Sequence, residues 1–250
     1  MLLEVKNLNL WYGEKQVLWN VSFTLNEGEI LCIVGESGSG KSSILYSIMG
    51  ILPPLARLQA SINFADTELT GLTDRDMQRI RGKDIGMVFQ EPSSYLDPLF
   101  TVGSQIEETY LGHFPADKKG ARERALQAMK RAGIASAEEK FKLYPHQLSG
   151  GLKQRVCIAS AIVCEPRLLL ADEPTTALDV SVQKKILSLF RRLRQEGKSI
   201  LLVTHDFGVV AEVADRVVVL KEGRVVEEGN VFDIFDSPRE EYTKLLLSSL

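Results

Sequence analysis

Gly35-Glu36-Ser37-Gly38-Ser39-Gly40-Lys41-Ser42 reads GESGSGKS, the spacing G-x-x-x-x-G-K-[ST] of a phosphate-binding loop. It follows an apolar run, Ile30–Val34, that reads as a short buried strand, and it precedes Ser43–Met49, which reads as a helix start. That strand–loop–helix context is what gives the spacing its meaning. Gly35, Gly38 and Gly40 permit backbone angles that a side chain forbids, so successive N–H groups can turn inward around phosphate oxygens. The helix N-terminus adds unpaired N–H groups and partial positive charge. Lys41 can reach the β- and γ-phosphates, and the Ser42 hydroxyl can ligate Mg²⁺. The loop therefore points to a nucleoside triphosphate with Mg²⁺ and is silent about what the energy drives.

The rest of the chain narrows the class. Its 250 residues suffice for one large α/β domain or two small ones. A net charge of −3 and the absence of a long basic run give no electrostatic reason to bind nucleic acid. Cys32, Cys157 and Cys164 form no CxxC pair and no metal-binding spacing, and they read as buried thiols in a reducing compartment. No apolar stretch reaches the ~18 residues that cross a bilayer, and Met1–Lys6 lacks the pattern of a secretory signal.

Around the loop, the pattern predicts strands at Leu2–Leu10 and Gln16–Leu25 with a turn over Trp11–Lys15, an antiparallel start to the chain. Residues 57–90 mix strand with a polar helix, and Ile85–Phe89 reads as a buried strand ending at Gln90. Residues 91–104 read as an exposed loop. Helices are expected over Lys118–Ala132, Ser149–Cys164, Val180–Gln195 and Phe207–Val213, with one more after Ser237-Pro238. Buried strands are expected at Leu168–Ala171 and Ile200–Thr204, and a hairpin at Arg216–Leu220 and Arg224–Glu228. Strands alternating with helices point to an α/β fold with a mainly parallel sheet, interrupted by a helical block at about 91–165.

Further constellations carry chemistry. Leu168–Ala171 runs into Asp172 and Glu173, which places two acids at the carboxyl edge of a sheet, where open α/β folds bind ligands. Asp172 can hold Mg²⁺ and Glu173 can polarise an attacking water, although a strand can also simply end in a solvated acidic turn. Leu148-Ser149-Gly150-Gly151-Leu152 opens a helix with small residues, as an anion-binding N-terminus or as an ordinary serine cap. His205 leaves a strand at the same kind of edge and reads either as a γ-phosphate contact or as a structural histidine. Gln90 can ligate Mg²⁺ and orient water. Tyr12 can stack on adenine, a contact worth roughly 1–3 kcal/mol for a base on an aromatic ring, or serve as a core aromatic beside a turn.

Taken in order along nearly the whole chain, these residues resemble the ATP-binding subunit of an ABC transporter. Tyr12 resembles the adenine-stacking aromatic, Gly35–Ser42 the Walker A loop, Gln90 the Q-loop glutamine and Leu148–Leu152 the LSGGQ signature, with Leu152 in place of its glutamine. Asp172 and Glu173 resemble Walker B with its catalytic glutamate, Ala177-Leu178-Asp179 the D-loop and His205 the switch histidine. The resemblance implies a phosphate-loop NTPase (RecA-like) core with an N-terminal antiparallel β-subdomain over 1–90 and 166–230, a helical signature subdomain over 91–165 and a tail over 231–250. It implies ATP and Mg²⁺, with Ser42, Gln90 and Asp172 on the metal and Glu173, His205, Lys41 and Gln90 in catalysis. The nucleotide contacts it implies are Tyr12, Gly35, Ser37, Gly38, Gly40, Lys41, Ser42, Ser43 and Asp179, with Ser149, Gly150 and Gly151 of the signature serving across a dimer.

The family's architecture implies partners. Each nucleotide is expected between the Walker loops of one ATPase subunit and the signature of another. Two transmembrane permeases are expected to dock on residues 91–106, and an extracytoplasmic substrate-binding protein to act indirectly, with the chain peripheral on the cytoplasmic face of the membrane. Gln90–Leu99, Tyr144-Pro145, Ala171–Val180 and Ser237-Pro238 with Tyr242-Thr243 are similar to the dipeptide, oligopeptide and nickel importer branch. Peptide-importing members carry a longer, cysteine-bearing C-terminal segment, so the end at Leu250 favours nickel or a metal chelate as cargo, a peptide as the alternative, and a heterodimer with a different ATPase subunit. A soluble ABC ATPase acting on DNA or ribosomes would show coiled-coil insertions or two ATPase domains. The chain has one set of motifs and no sustained heptads.

Overall fold

The computed structural model describes residues 1–176 and 178–248. They form two compact units, Met1–Met77 with Phe190–Leu250, and Gln78–Leu189.

In the first unit, strand Leu3–Tyr12 lies between Lys15–Leu25 and Ala56–Phe64 in an antiparallel sheet, with the short Thr67–Glu68 outside. The expected turn over Trp11–Lys15 is shorter than predicted. Tyr12 pairs with Lys15, and Gly13-Glu14 alone reverses the chain, because a two-residue loop suffices once a glycine at φ 61° takes the tight position. A second sheet of this unit runs Arg224–Asn230, Arg216–Lys221, Ile30–Val34, Ser199–Thr204. Ile30–Val34 is parallel to both of its neighbours and buried at every residue. Its continuous apolar run is the signature of a strand covered on both faces.

Helix Lys41–Met49 follows the phosphate loop. Phe207–Val213 is capped by Asp206, which accepts from the amides of Gly208 at 2.7 Å and Val209 at 3.3 Å. Two helices close the unit, Val231–Asp236 and Glu241–Leu247. The first of these is absent from the sequence reading, since six residues are too few to show helical periodicity. The Asn230 side chain, accepting from Phe232 N at 3.0 Å, is what starts it.

The second unit contains the parallel pair Ile85–Val88 and Leu168–Asp172, both buried throughout. Its helices include Val102–His113, Lys118–Arg131 and Gly150–Ile162. Lys118–Arg131 buries Ala121, Ala125, Ala128 and Met129, one narrow stripe of mostly small side chains on an otherwise polar helix. The segment expected as an exposed loop at 91–104 holds a helical turn, Pro92–Tyr95, and the start of Val102–His113. Pro92 has the fixed φ of a first helical residue, and Thr101 accepts from Ser104 N at 3.3 Å as a cap.

All three cysteines are free, but only Cys32 is fully buried, against the expectation for all three. Burial raises each thiol's pKa, to about 12 for Cys157 and about 11 for Cys164. No helix among the described residues is long and apolar enough to cross a membrane.

Candidate functional site

The phosphate loop leaves the carboxyl end of strand Ile30–Val34. A methyl group on buried Gly35 would stand 2.1 Å from the Leu220 carbonyl oxygen, so the loop can pass the neighbouring strand only without a side chain. Gly40 caps helix Lys41–Met49 at φ 104°, and a methyl there would stand 2.6 Å from Leu18 Cδ2. Lys41 is 4% exposed. Its ammonium turns back into the loop and donates to the carbonyls of Gly35 at 2.7 Å and Glu36 at 2.9 Å. Ser39 Oγ is buried inside the same loop and hydrogen-bonds to no protein group. A buried cation and an orphaned hydroxyl beside a helix N-terminus fit the arrival of a triphosphate, whose oxygens satisfy both.

Ser37 and Gly38 are exposed along the loop, while Ser42 and Ser43 are half-buried in the first helical turn. The Tyr12 hydroxyl donates to Ser43 Oγ at 3.1 Å. This bond ties the predicted adenine platform to the helix that carries Lys41. His205 is exposed at the end of strand Ser199–Thr204 in the same unit.

Asp172 ends the other unit's buried strand and Glu173 follows it directly. Asp172 is fully buried and Glu173 is 8% exposed, so the solvated acidic turn does not describe them. Glu173 has φ 41°, a left-handed backbone that costs a bulky residue about 1–3 kcal/mol and persists only where the surroundings hold it. Gln90 and Thr176 are among the groups that hold its carboxylate. Gln90 Nε2 donates to Oε2 at 3.2 Å and Thr176 Oγ1 donates to the same oxygen at 2.9 Å. Gln90 and Glu173 are thus brought together from 83 residues apart. The three metal candidates are divided, Ser42 in the first unit and Gln90 with Asp172 in the second. All three offer hard oxygen donors. Among the described residues no cluster of three His, Cys, Asp or Glu side chains could cage a metal ion. That donor set fits Mg²⁺, which binds through one or two carboxylates and substrate phosphates and keeps much of its water.

Ser149 stands in the cap position of helix Gly150–Ile162 at φ −68° and ψ 160°, but its side chain makes no capping hydrogen bond. Ser149 and Gly150 are exposed. The ordinary serine-cap reading therefore fails, and the hydroxyl belongs to an exposed residue with no capping bond. Gly151 is closer packed, because a methyl there would meet Val182 Cγ1 at 2.6 Å. Asp179 accepts from Ser181 Oγ at 2.7 Å and Val182 N at 3.0 Å at the start of helix Val180–Gln195. The Ser181 hydroxyl, then the Val182 amide, hold its carboxyl below the usual range. Ala177 of the predicted D-loop lies outside the described residues.

In the segment 91–106, Tyr95, Leu99 and Phe100 are exposed, Leu99 by 79%. The Tyr95 ring stacks on Phe89 with centroids 3.9 Å apart. Three exposed apolar side chains thus fall within six consecutive residues.

Sequence reasoning missed Ser39 and Thr176 as site residues. Ser39 sits at a variable position of the loop motif. Thr176 follows Glu173 by three residues, a spacing that a turn alone brings into hydrogen-bond reach.

The family described as ABC transporter matches residues 18–176 of this chain. The dipeptide transport ATP-binding protein DppD of Bacillus subtilis is 47% identical over 100% of this chain and 76% of that protein. The oligopeptide transport ATP-binding protein OppD of the same organism is 46% identical over 100% of this chain and 72% of its own length. Among solved structures, the dimeric post-hydrolysis state of the ATP-binding cassette MJ0796, bound to ADP and Pi, superimposes with a TM-score of 0.81 at 33% identity. It covers 92% of this chain and 98% of that one. CbiO1 from Clostridium perfringens, part of the ABC transporter complex cbiONQ, gives 0.82 at 32% identity over 94% of this chain and 91% of that one.

Proposed function

The chain belongs to the ABC transporter family as an ATP-hydrolysing transport ATPase, and from that premise we propose that it powers the import of peptides through partner permeases. The cargo reading is supported by relatives named for dipeptide and oligopeptide transport at 40–47% identity. They favour the peptide alternative over nickel, whose case rested on the position of the last residue.

The observation that carries the ATPase reading is Glu173, a buried carboxylate in a strained backbone, held by Gln90 and Thr176 beside Asp172. Glu173 takes the proton of the water that attacks the γ-phosphorus, as the bond to the β-phosphate oxygen breaks and ADP leaves. Gln90 orients that water and Glu173 together. Lys41 turns from the carbonyls of Gly35 and Glu36 to the β- and γ-phosphates, and Gly38, Gly40, Ser42 and Ser43 present N–H groups to them. His205 steadies the γ-phosphate, and the Tyr12 ring carries the adenine. Ser42 in the first unit, and Gln90 and Asp172 in the second, are the residues that would hold Mg²⁺, which would supply charge neutralisation on the phosphates when bound.

A second ATPase subunit, of different sequence, completes the assembly. Ser149, Gly150 and Gly151 serve the nucleotide of that partner, a role supported by the exposure of Ser149 and the absence of a capping bond from its hydroxyl. Tyr95, Leu99 and Phe100 in 91–106 dock the permeases, which hold the chain on the cytoplasmic face of the membrane.

The test is ATPase activity of the reconstituted transporter, with its substrate-binding protein loaded with peptide or with Ni²⁺. Peptide-loaded protein is expected to stimulate turnover. Stimulation by the Ni²⁺-loaded protein alone would overturn the cargo assignment.

A further inference from the structure

The C-terminal segment reaches the phosphate loop. Tyr242, on helix Glu241–Leu247, accepts a hydrogen bond at its hydroxyl from the backbone N–H of Glu36 at 3.4 Å. The two residues are 206 positions apart in sequence. The tyrosine is itself held. The Lys221 ammonium lies 4.7 Å from its ring centroid. Just before it, Glu227 accepts from the amides of Arg239 at 2.7 Å and Glu240 at 3.2 Å, which pins the chain to strand Arg224–Asn230.

Glu36 is the residue on which the loop's own bonds converge. Its carbonyl accepts from Lys41 Nζ at 2.9 Å and from Ser39 N at 3.1 Å. Its N–H is taken by Tyr242. The loop is tied at a second point, where Gly223 N donates to the Ser39 carbonyl at 3.0 Å. When Lys41 turns to phosphate it gives up its bond to the Glu36 carbonyl, while the Glu36 N–H keeps its bond to the Tyr242 hydroxyl. A loop already held in its binding shape loses less freedom when ligand arrives, so such an anchor favours binding without touching ligand.

We propose that Tyr242 is a positioning residue for the phosphate loop, through which the C-terminal helix sets the affinity for ATP. The inference rests on the ATP-binding reading above. It differs from simple stabilisation of the C-terminal helix, which would leave the loop's affinity alone.

Tyr242→Phe in the full chain keeps the ring and the lysine contact and removes only the hydroxyl. Isothermal titration with Mg-ATP is expected to show affinity weakened about three- to tenfold, the share of one net hydrogen bond. Amide exchange at Glu36 should accelerate, and in the assembled transporter KM for ATP should rise by a similar factor with kcat within about twofold. A melting temperature lowered without change in ATP affinity or Glu36 exchange would overturn the proposal. Tyr242→Ala should add to the loss, and if it fails to fold, the phenylalanine variant decides. Lys41→Ala separates the two readings. If it abolishes binding while Tyr242→Phe binds as wild type, Tyr242 has no positioning role and the ATP site stands. If wild-type chain binds no ATP, the underlying reading fails.

Discussion

The phosphate loop and the start of the signature helix are built from the same materials, glycine and serine at a helix N-terminus, and they end in opposite conditions. The loop is closed inward at Gly35, Ser39 and Lys41, with Glu36, Ser37 and Gly38 exposed between them. Gly35 lies against the Leu220 carbonyl, Lys41 is buried under its own carbonyls, and Tyr242 and Gly223 hold the outside. At Ser149 and Gly150 the same chemistry is left facing solvent, with no capping bond to occupy the hydroxyl. The lesson is that a glycine-rich helix start reports a capacity for anions, while burial reports whether the chain uses that capacity on its own account. The strand end at Glu173 belongs with the loop in this respect, because its carboxylate is buried and held.

That contrast can be broken at three points. The largest effect is expected at the buried acid. Glu173→Gln in the assembled transporter should cut ATP turnover by about 10³-fold, within the range for loss of a general base, while ATP-bound dimers persist on size-exclusion chromatography. Near-normal hydrolysis would remove Glu173 from that role. Next is Lys41→Ala, which removes a charge-assisted contact. ATP affinity of the isolated chain should fall about 10- to 100-fold by calorimetric titration. An unchanged affinity would contradict the phosphate cradle. The smallest effect is expected at Ser149. In the isolated chain Ser149→Ala should leave both melting temperature and ATP affinity as they are, since no intrachain cap is lost. In the assembled transporter turnover should fall about tenfold, the share of one hydrogen bond to a charged group. A clear drop in the isolated chain's stability would show that the serine caps its own helix after all.

Legibility in the sequence followed distance along the chain. Ile30–Val34, Val180–Gln195 and Phe207–Val213 begin and end where the pattern places them, because an apolar run or an amphipathic period is a local property. The helices at Pro92–Tyr95 and Val231–Asp236 were hidden, since each depends on a proline or a cap and is too short to carry a period. At the site, the loop motif could be read because its defining residues lie within eight consecutive positions, while the buried Ser39 hydroxyl at one of its variable positions could not. Thr176 could have been suspected from its place three residues after Glu173. The burial of Asp172, the backbone strain at Glu173 and the exposed, uncapping Ser149 could not, because each depends on what packs around it.

The sequence by itself determined a phosphate loop between a strand and a helix, two acids at a strand end, a signature-like helix start and, through their order, the ABC ATPase resemblance. Tertiary structure alone decided that Gln90 meets Glu173 across 83 residues and that Tyr242 meets Glu36 across 206. It also decided that Gly35 must clear the Leu220 carbonyl and that Tyr12 bonds Ser43. The reason is physical. Residue type and spacing set what a short stretch of backbone can do, whereas a hydrogen bond between distant segments exists only once the core has packed and fixed their separation to within a few tenths of an ångström.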